Sequence, residues 1–170
     1  MKTALFVGRF QPFHNGHLLA LREILRKHGR VIIVIGSARE SGTRENPFSA
    51  DEREEMARRA LEGAGLEGFS FLRLEDLHDD RLWAGAIMKE ARFDTAYSRN
   101  PWTLRCLRAA GAKARMHRLY GGGKFSGRKI RDLIAGGREW KKLVPAPVHE
   151  YIESIGGEDR IRRIFREGSR

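Results

Sequence analysis

Val31-Ile32-Ile33-Val34-Ile35 is β-branched at every position before Gly36 closes the run. A strand with one wet face alternates apolar and polar residues. A strand covered on both faces does not, and such strands belong to parallel sheets with helices on each side. The segments around this run alternate in kind. Residues 3–8 make a second buried strand, also closed by a glycine. Between the two, Leu18, Leu21, Ile24 and Leu25 recur at helical spacing over residues 16–27, and Gly29 ends that helix. Ser49 with Glu52 three residues on is a capping box, so a helix is predicted from Ala50 to near Gly63. Strands follow at 69–74, 94–98 and 113–119, with helices at 82–91, 101–110 and 126–135. Beyond that the chain reads as helical, broken at Pro145, Pro147 and Gly156-Gly157. The alternation predicts an α/β chain built on a doubly wound parallel sheet. At 170 residues one domain is expected, 1–170, with a helical C-terminal part from about 126 to 170.

Composition narrows the class. With 41% hydrophobic residues the chain can build a core. No apolar run approaches the roughly 18 residues of a membrane span. Residues 1–5 lead straight into a strand, without the apolar stretch and cleavage site of a signal peptide. Cys106 is alone, which excludes an intramolecular disulfide and a cysteine-rich zinc module. A cytoplasmic chain with no membrane association is expected. The formal charge is +11, and its distribution says more than its size. Residues 1–98 hold 15 basic and 15 acidic side chains, residues 143–170 hold 5 and 5, and residues 99–142 hold 13 and 2. A local excess of this kind fits a nucleic-acid surface, a pocket for a small polyphosphate, or a plain solvated or subunit-facing patch.

In doubly wound sheets ligands bind beyond the carboxyl ends of the strands. The loops after Gly8, Gly36, Leu74 and Ser98 are therefore where chemistry is expected. The usual phosphate signatures are missing: no G-x-G-x-x-G follows the first strand, and Gly123-Lys124 is followed by Phe125 rather than the Ser or Thr of a Walker A loop. The first loop instead reads Gly8-Arg9-Phe10-Gln11-Pro12-Phe13-His14-Asn15-Gly16-His17. Two histidines three apart at a helix start lie on one side of it. Gly16 lets a ligand approach the backbone, and the helix N-terminus supplies free N–H groups and a positive dipole end. Arg9 adds a forked donor for a phosphate. No third ligand accompanies the histidines, so a protein-held metal is not expected. A second element, Phe125-Ser126-Gly127-Arg128-Lys129-Ile130-Arg131, pairs a capping serine with an arginine one turn into the helix. Gly121-Gly122-Gly123 before it is either a lid or a plain loop.

These residues, taken together, resemble the archaeal-type nicotinamide-nucleotide adenylyltransferases of the H-x-G-H nucleotidyltransferase superfamily. The similarity runs on through Gly36-Ser37-Ala38, the stretch from Asn46 to Arg53, Leu82-Trp83-Ala84-Gly85, Asn100-Pro101, Phe125-Ser126-Gly127 with Arg131, and Asp159-Arg160-Ile161. It implies a Rossmann-like nucleotidyltransferase fold. It also implies transfer of the adenylyl group of ATP to nicotinamide mononucleotide, giving NAD and pyrophosphate with a divalent metal, usually Mg²⁺ held mainly by the ATP phosphates. By the same resemblance His14, His17, Arg9 and Arg131 are the expected catalytic groups. Gly8, Phe10, Gly16, Ser126 and Gly127 join them in binding ATP. Trp83, Asp80 and Asn100 form the mononucleotide half, with Arg44 and Arg128 as weaker phosphate contacts. A homo-oligomer, commonly a hexamer, is implied too.

Three positions depart from the family pattern. Arg128 stands where a small hydroxyl residue is usual, Thr43-Arg44-Glu45 aligns loosely, and Asp80 stands where an Asn is common. A carboxylate there disfavours an acid substrate, which bears on the choice between nicotinamide and nicotinic acid mononucleotide. Two other functions share parts of the pattern. A sister adenylyl- or cytidylyltransferase for another phosphorylated small molecule would keep the histidine loop but not its Arg9-to-Phe13 wording. A basic nucleic-acid-binding module would explain the charge, but residues 99–142 carry only Trp102, Tyr120, Phe125 and Trp140 as aromatics and no nucleic-acid motif.

Overall fold

The computed structural model describes residues 1–75, 77 and 79–168, and the chain divides into two compact units. The first comprises Met1–Gly8, Ala20–Ala38 and Leu66–Arg118. It holds a five-stranded sheet of β1 (Lys2–Gly8), β2 (Gly29–Ile35), β3 (Phe69–Arg73), β4 (Thr95–Ser98) and β5 (Ala114–Met116). All ladders are parallel, and the order is β3-β2-β1-β4-β5. This is the predicted doubly wound parallel sheet. β2 lies between β3 and β1, and Val31, Ile33, Val34 and Ile35 are at most 1% exposed, which is why the run tolerates no polar residue.

The sheet builds a core on each face. Leu5, Val7 and Val34 pack with Trp83, Ala84 and Ile87 of α3 (Asp80–Glu90) and with Leu104 and Leu107 of α4 (Pro101–Ala109). Burying each large aliphatic contributes about 1.5–3 kcal/mol. Strand alternation turns Phe6 and Tyr97 to the opposite face. There Phe6 meets the His117 ring at 5.2 Å, and Tyr97 bonds His28, the last residue of α1 (Asn15–His28), at 3.0 Å. β5 is shorter than the sequence predicts. Its neighbour in the sheet, β4, ends at Ser98, and Asn100 then caps α4. The strand order reverses between β1 and β4, and their carboxyl ends are tied together by Ser98 Oγ donating to the Val7 carbonyl at 3.2 Å. Gly8 accepts the Gly36 N–H at 2.9 Å, so the ends of β1, β2 and β4 are fixed at the switch point where such sheets take ligands.

The second unit comprises Arg9–Leu19, Arg39–Gly65 and Leu119–Arg170. It contains α2 (Ala50–Gly63), α5 (Gly127–Ala135), α6 (Ala146–Ser154) and α7 (Gly157–Glu167). The predicted capping box is present: Ser49 Oγ accepts from the Glu52 N–H, and the Glu52 carboxylate accepts from the Ser49 N–H at 2.9 Å. The same carboxylate takes the Arg160 guanidinium of α7 at 2.6 Å. α7 approaches closely enough that a Cβ at Gly157 would fall 2.9 Å from the Phe48 ring and 2.8 Å from the Ile152 side chain. Gly121–Gly123 forms a single 3₁₀ turn with positive φ at each glycine, so the triple glycine has a conformational reason of its own.

Candidate functional site

Of the expected site residues, the second unit holds Arg9, Phe10, His14, Gly16, His17, Arg44, Ser126, Gly127, Arg128 and Arg131. The two histidine rings stack with centroids 3.5 Å apart and planes 12° from parallel. They also hold each other's backbone. His14 N–H donates to His17 Nδ1 at 3.2 Å, and His17 N–H donates to His14 Nδ1 at 3.3 Å. A ring nitrogen that accepts carries no proton, so each neutral imidazole keeps its N–H at Nε2. The spacing of three residues thus produces two parallel N–H donors with a fixed tautomer, both suited to phosphate oxygens. Gly16 is required for a more local reason than ligand access: a Cβ there would lie 3.1 Å from the His14 ring and from Phe125 Cβ.

Phe10 sits at φ +53°, a region that a large side chain rarely occupies. Burial to 2% exposure and contacts with Phe13 at 5.9 Å and His17 at 4.9 Å hold it there. Two residues that the sequence reading did not single out lock the same loop. Gln11 Nε2 donates to the Phe48 carbonyl at 2.8 Å while its Oε1 accepts the Phe48 N–H at 3.0 Å. Arg53, fully buried, donates to the carbonyls of Ser49 and Arg9. Neither has a local signature for its hold on the loop, because Phe48 lies 37 residues from Gln11 and Arg9 lies 44 from Arg53; only the unusual placement of an arginine on the apolar side of α2 hints at it.

Ser126 caps α5, its hydroxyl accepting from the Lys129 N–H. Gly127 is a close-approach glycine, since a Cβ would reach 2.7 Å from the Gln11 carbonyl oxygen. Arg131 is 7% exposed and spends two donors on the backbone, Nε on the Arg44 carbonyl at 2.8 Å and Nη1 on the Gln11 carbonyl at 2.7 Å. Burial, then the charges of Arg9 and Arg128, pull its guanidinium below the ordinary arginine value, with Asp132 and Glu45 opposing. Arg9, Arg128 and Arg131 are therefore close enough to repel, and an anion relieves that repulsion. Arg9, Arg44 and Arg128 are exposed. The Arg44 guanidinium lies 4.3 Å over the Phe165 ring and its carbonyl holds Arg131.

The first unit holds Gly8, Asp80, Trp83 and Asn100. Trp83 is 2% exposed within the α3–α4 core, with the Trp102 ring 4.9 Å away. Trp102, only partly buried, is a third residue missed by sequence reading. Its indole N–H donates to the Asp80 carboxylate at 3.0 Å, and its backbone N–H donates to the Asn100 side-chain oxygen at 2.9 Å. Asp80 and Asn100 are thus gathered around one tryptophan, and Asn100 has its amide N–H₂ left to offer. Among the described residues no three His, Cys, Asp or Glu side chains come together to hold a metal. No helix among them is long and apolar enough to cross a membrane.

The cytidylyltransferase-like family matches residues 5–140. The nicotinamide-nucleotide adenylyltransferase of Methanolobus tindarius is 38% identical over 165 residues, covering 96% of this chain and 95% of the relative. That of Saccharolobus solfataricus is 36% identical over 167 residues, with 96% and 97% covered, and that of Archaeoglobus fulgidus is 38% identical over 167 residues, with 95% and 96% covered. Among solved structures, a bifunctional NMN adenylyltransferase/ADP ribose pyrophosphatase from Francisella tularensis, complexed with AMP and a manganese ion, superposes with a TM-score of 0.80 at 21% identity. The match covers 99% of this chain and 53% of that longer one, and it shows a shared fold.

Proposed function

The chain belongs to the cytidylyltransferase-like family and, within it, to the nicotinamide-nucleotide adenylyltransferases, and from that premise we propose how its residues carry adenylyl transfer from ATP to nicotinamide mononucleotide, giving NAD and pyrophosphate. The observation that carries the assignment of roles is the reciprocal His14–His17 pair, which keeps two Nε2–H donors in the same unit as Arg131 and the arginines whose charges reach it.

The nucleophile is the phosphate of the mononucleotide, a monoester with a second pKa of about 6. It is largely dianionic at neutral pH, so no general base is needed, and the histidine loop supplies none. A phosphate oxygen attacks the α-phosphorus of ATP in line, and the bond to the bridging oxygen of pyrophosphate breaks. The protein's work is to align two anions and to stabilise charge on the α-phosphate and the leaving pyrophosphate. His14 and His17 donate to ATP phosphate oxygens. Arg9, with Arg128 and Arg44 as further contacts, holds the triphosphate. Ser126, Gly127 and the N-terminus of α5 cradle its end, and Gly8, Phe10 and Gly16 shape the backbone along it. Arg131 contributes its charge while its bonds to the Gln11 and Arg44 carbonyls keep the loop in place. Mg²⁺ enters with ATP as part of the substrate and offsets phosphate charge when bound.

On the mononucleotide side, Asn100 offers its amide N–H₂, and Asp80 accepts from the carboxamide of nicotinamide. Trp83 backs Trp102, whose ring is the more open of the two. The domain is read as one nucleotidyltransferase unit of function over 1–170, acting in the cytoplasm as a homo-oligomer, hexameric as in similar proteins. Incubation with ATP, Mg²⁺ and nicotinamide mononucleotide is expected to yield NAD and pyrophosphate in equal amounts. Absence of NAD, or adenylylation of a different phosphorylated acceptor instead, would overturn the reading.

A further inference from the structure

Lys2, Lys27, Lys113 and Arg115 converge on one pocket of about 250 Å³ in the first unit, together with His28, Asp94, Thr95 and Tyr97. Lys2 opens β1, Thr95 opens β4, and Lys113 immediately precedes β5. The pocket therefore lies at the amino ends of the strands, the end of the sheet opposite Gly8 and Ser98. Its charge balance is strongly positive. Asp94 is the one carboxylate among the lining residues, and it accepts the Thr3 N–H at 2.7 Å. The C-terminal dipole of α1 accounts for Lys27. It does not account for Lys2 in β1, Arg115 in β5 or Lys113 just before β5.

A second observation points to a missing partner. His28 is 93% buried, being 7% exposed, and its Nε2 pairs with the Tyr97 hydroxyl. Its Nδ1 is buried and has no hydrogen-bond partner among the described residues. Buried polar atoms without partners are rare and each calls for an explanation. Burial, then the charge of Lys27, hold the imidazole below its ordinary pKa, with Lys2 and Lys113 adding and Asp94 opposing. Four cations line one pocket with a histidine whose charged form burial and the lysines disfavour, an arrangement that a bound anion completes.

We propose that this pocket is a second anion site, separate from the groups assigned to the substrates, which takes a small phosphate-bearing anion. The room suits a phosphate or a phosphorylated sugar and falls short of the 300 Å³ and more typical of sites for larger ligands. Lys2, Lys27, Lys113 and Arg115 supply charge and N–H donors, and Tyr97 with His28 supplies the polar wall.

The test reads the His28 ring by NMR in the full chain, with its signals identified by loss in His28→Gln. Inorganic phosphate and ribose 5-phosphate are titrated separately. Saturable shifts of the His28 signals are expected, with a rise in the His28 titration midpoint, because a bound dianion offsets the lysines around it. The double variant Lys27→Ala/Lys113→Ala should bind about tenfold or more weakly, while its NAD formation at saturating substrates stays at the wild-type rate, which also certifies its fold. Arg115→Gln gives an independent second reading. Equal affinity for both probes assigns the site to free phosphate, and tighter binding of the sugar phosphate assigns it to an organic phosphate. Non-saturating shifts, an unmoved midpoint, or the same response in the charge-deleted variants would overturn the proposal.

Discussion

At the scale of single residues, His14 and His17 act as a pair. Each ring fixes the other's main chain, and the same bonds leave each Nε2–H as the donor. On the proposed assignment, replacing His17 by Ala removes a donor to charge that develops on ATP, not one to the mononucleotide. The turnover number is expected to fall about 10²–10³-fold, while the Michaelis constant for the mononucleotide changes little. Steady-state kinetics with varied mononucleotide check this, and near-normal turnover refutes it. On the proposed assignment, Asp80 faces the other substrate. A carboxylate fixed by the Trp102 N–H should repel nicotinic acid mononucleotide and accept from the nicotinamide carboxamide. The ratio of kcat/KM for the two mononucleotides should favour the amide, and Asp80→Asn should narrow that ratio about tenfold. Unchanged discrimination would remove Asp80 from substrate choice.

At the scale of elements, the start of α2 shows how capping carries over into tertiary structure. Glu52 closes the capping box and also takes Arg160 from α7. Burial works to raise its carboxyl pKa, but the Arg160 bond and the Ser49 N–H outweigh it and hold the group below the ordinary carboxylate range. A folded pKa below the unfolded one gives stability that is present above the unfolded value, near 4.3, and is lost as pH falls through the folded one. Glu52→Gln should therefore lower stability by about 1 kcal/mol at pH 7, and the gap to wild type should close below about pH 4. Urea melts at pH 7 and pH 3.5 check it. Elements of this kind were readable in the sequence because their causes are local: the β-branched run of β2, the Ser49–Glu52 spacing, and Gly29 at a positive φ after α1. The His14–Gly16–His17 spacing was readable for the same reason. Gln11, Arg53 and Trp102 were not, since each acts through a partner brought to it only by the fold. Arg131 was readable as a charge but not as a buried brace between two carbonyls.

At the scale of the whole molecule, the +11 charge resolves into separate local uses. Arg99 donates to the His117 carbonyl, Arg108 to the Ala114 carbonyl, and Lys141 pairs with Glu153. Lys113 and Arg115 line the pocket at the amino ends of the strands. A net positive chain still attracts ATP, so kcat/KM for ATP should fall about tenfold between low and high KCl while kcat moves much less. A salt-independent kcat/KM would argue against steering. The strand order has a further consequence, for synthesis. β1 is made first, yet its ladder on one flank waits for β4, with Ala4 opposite Thr95 and Thr3 bonded to Asp94 across 91 residues. At ribosomal speeds of about 5–20 residues per second, that flank of the nascent strand stays open for roughly 5 to 20 seconds. An open apolar edge invites pairing with other chains. A ribosome that pauses before Ser98 therefore leaves the sheet half closed at its centre.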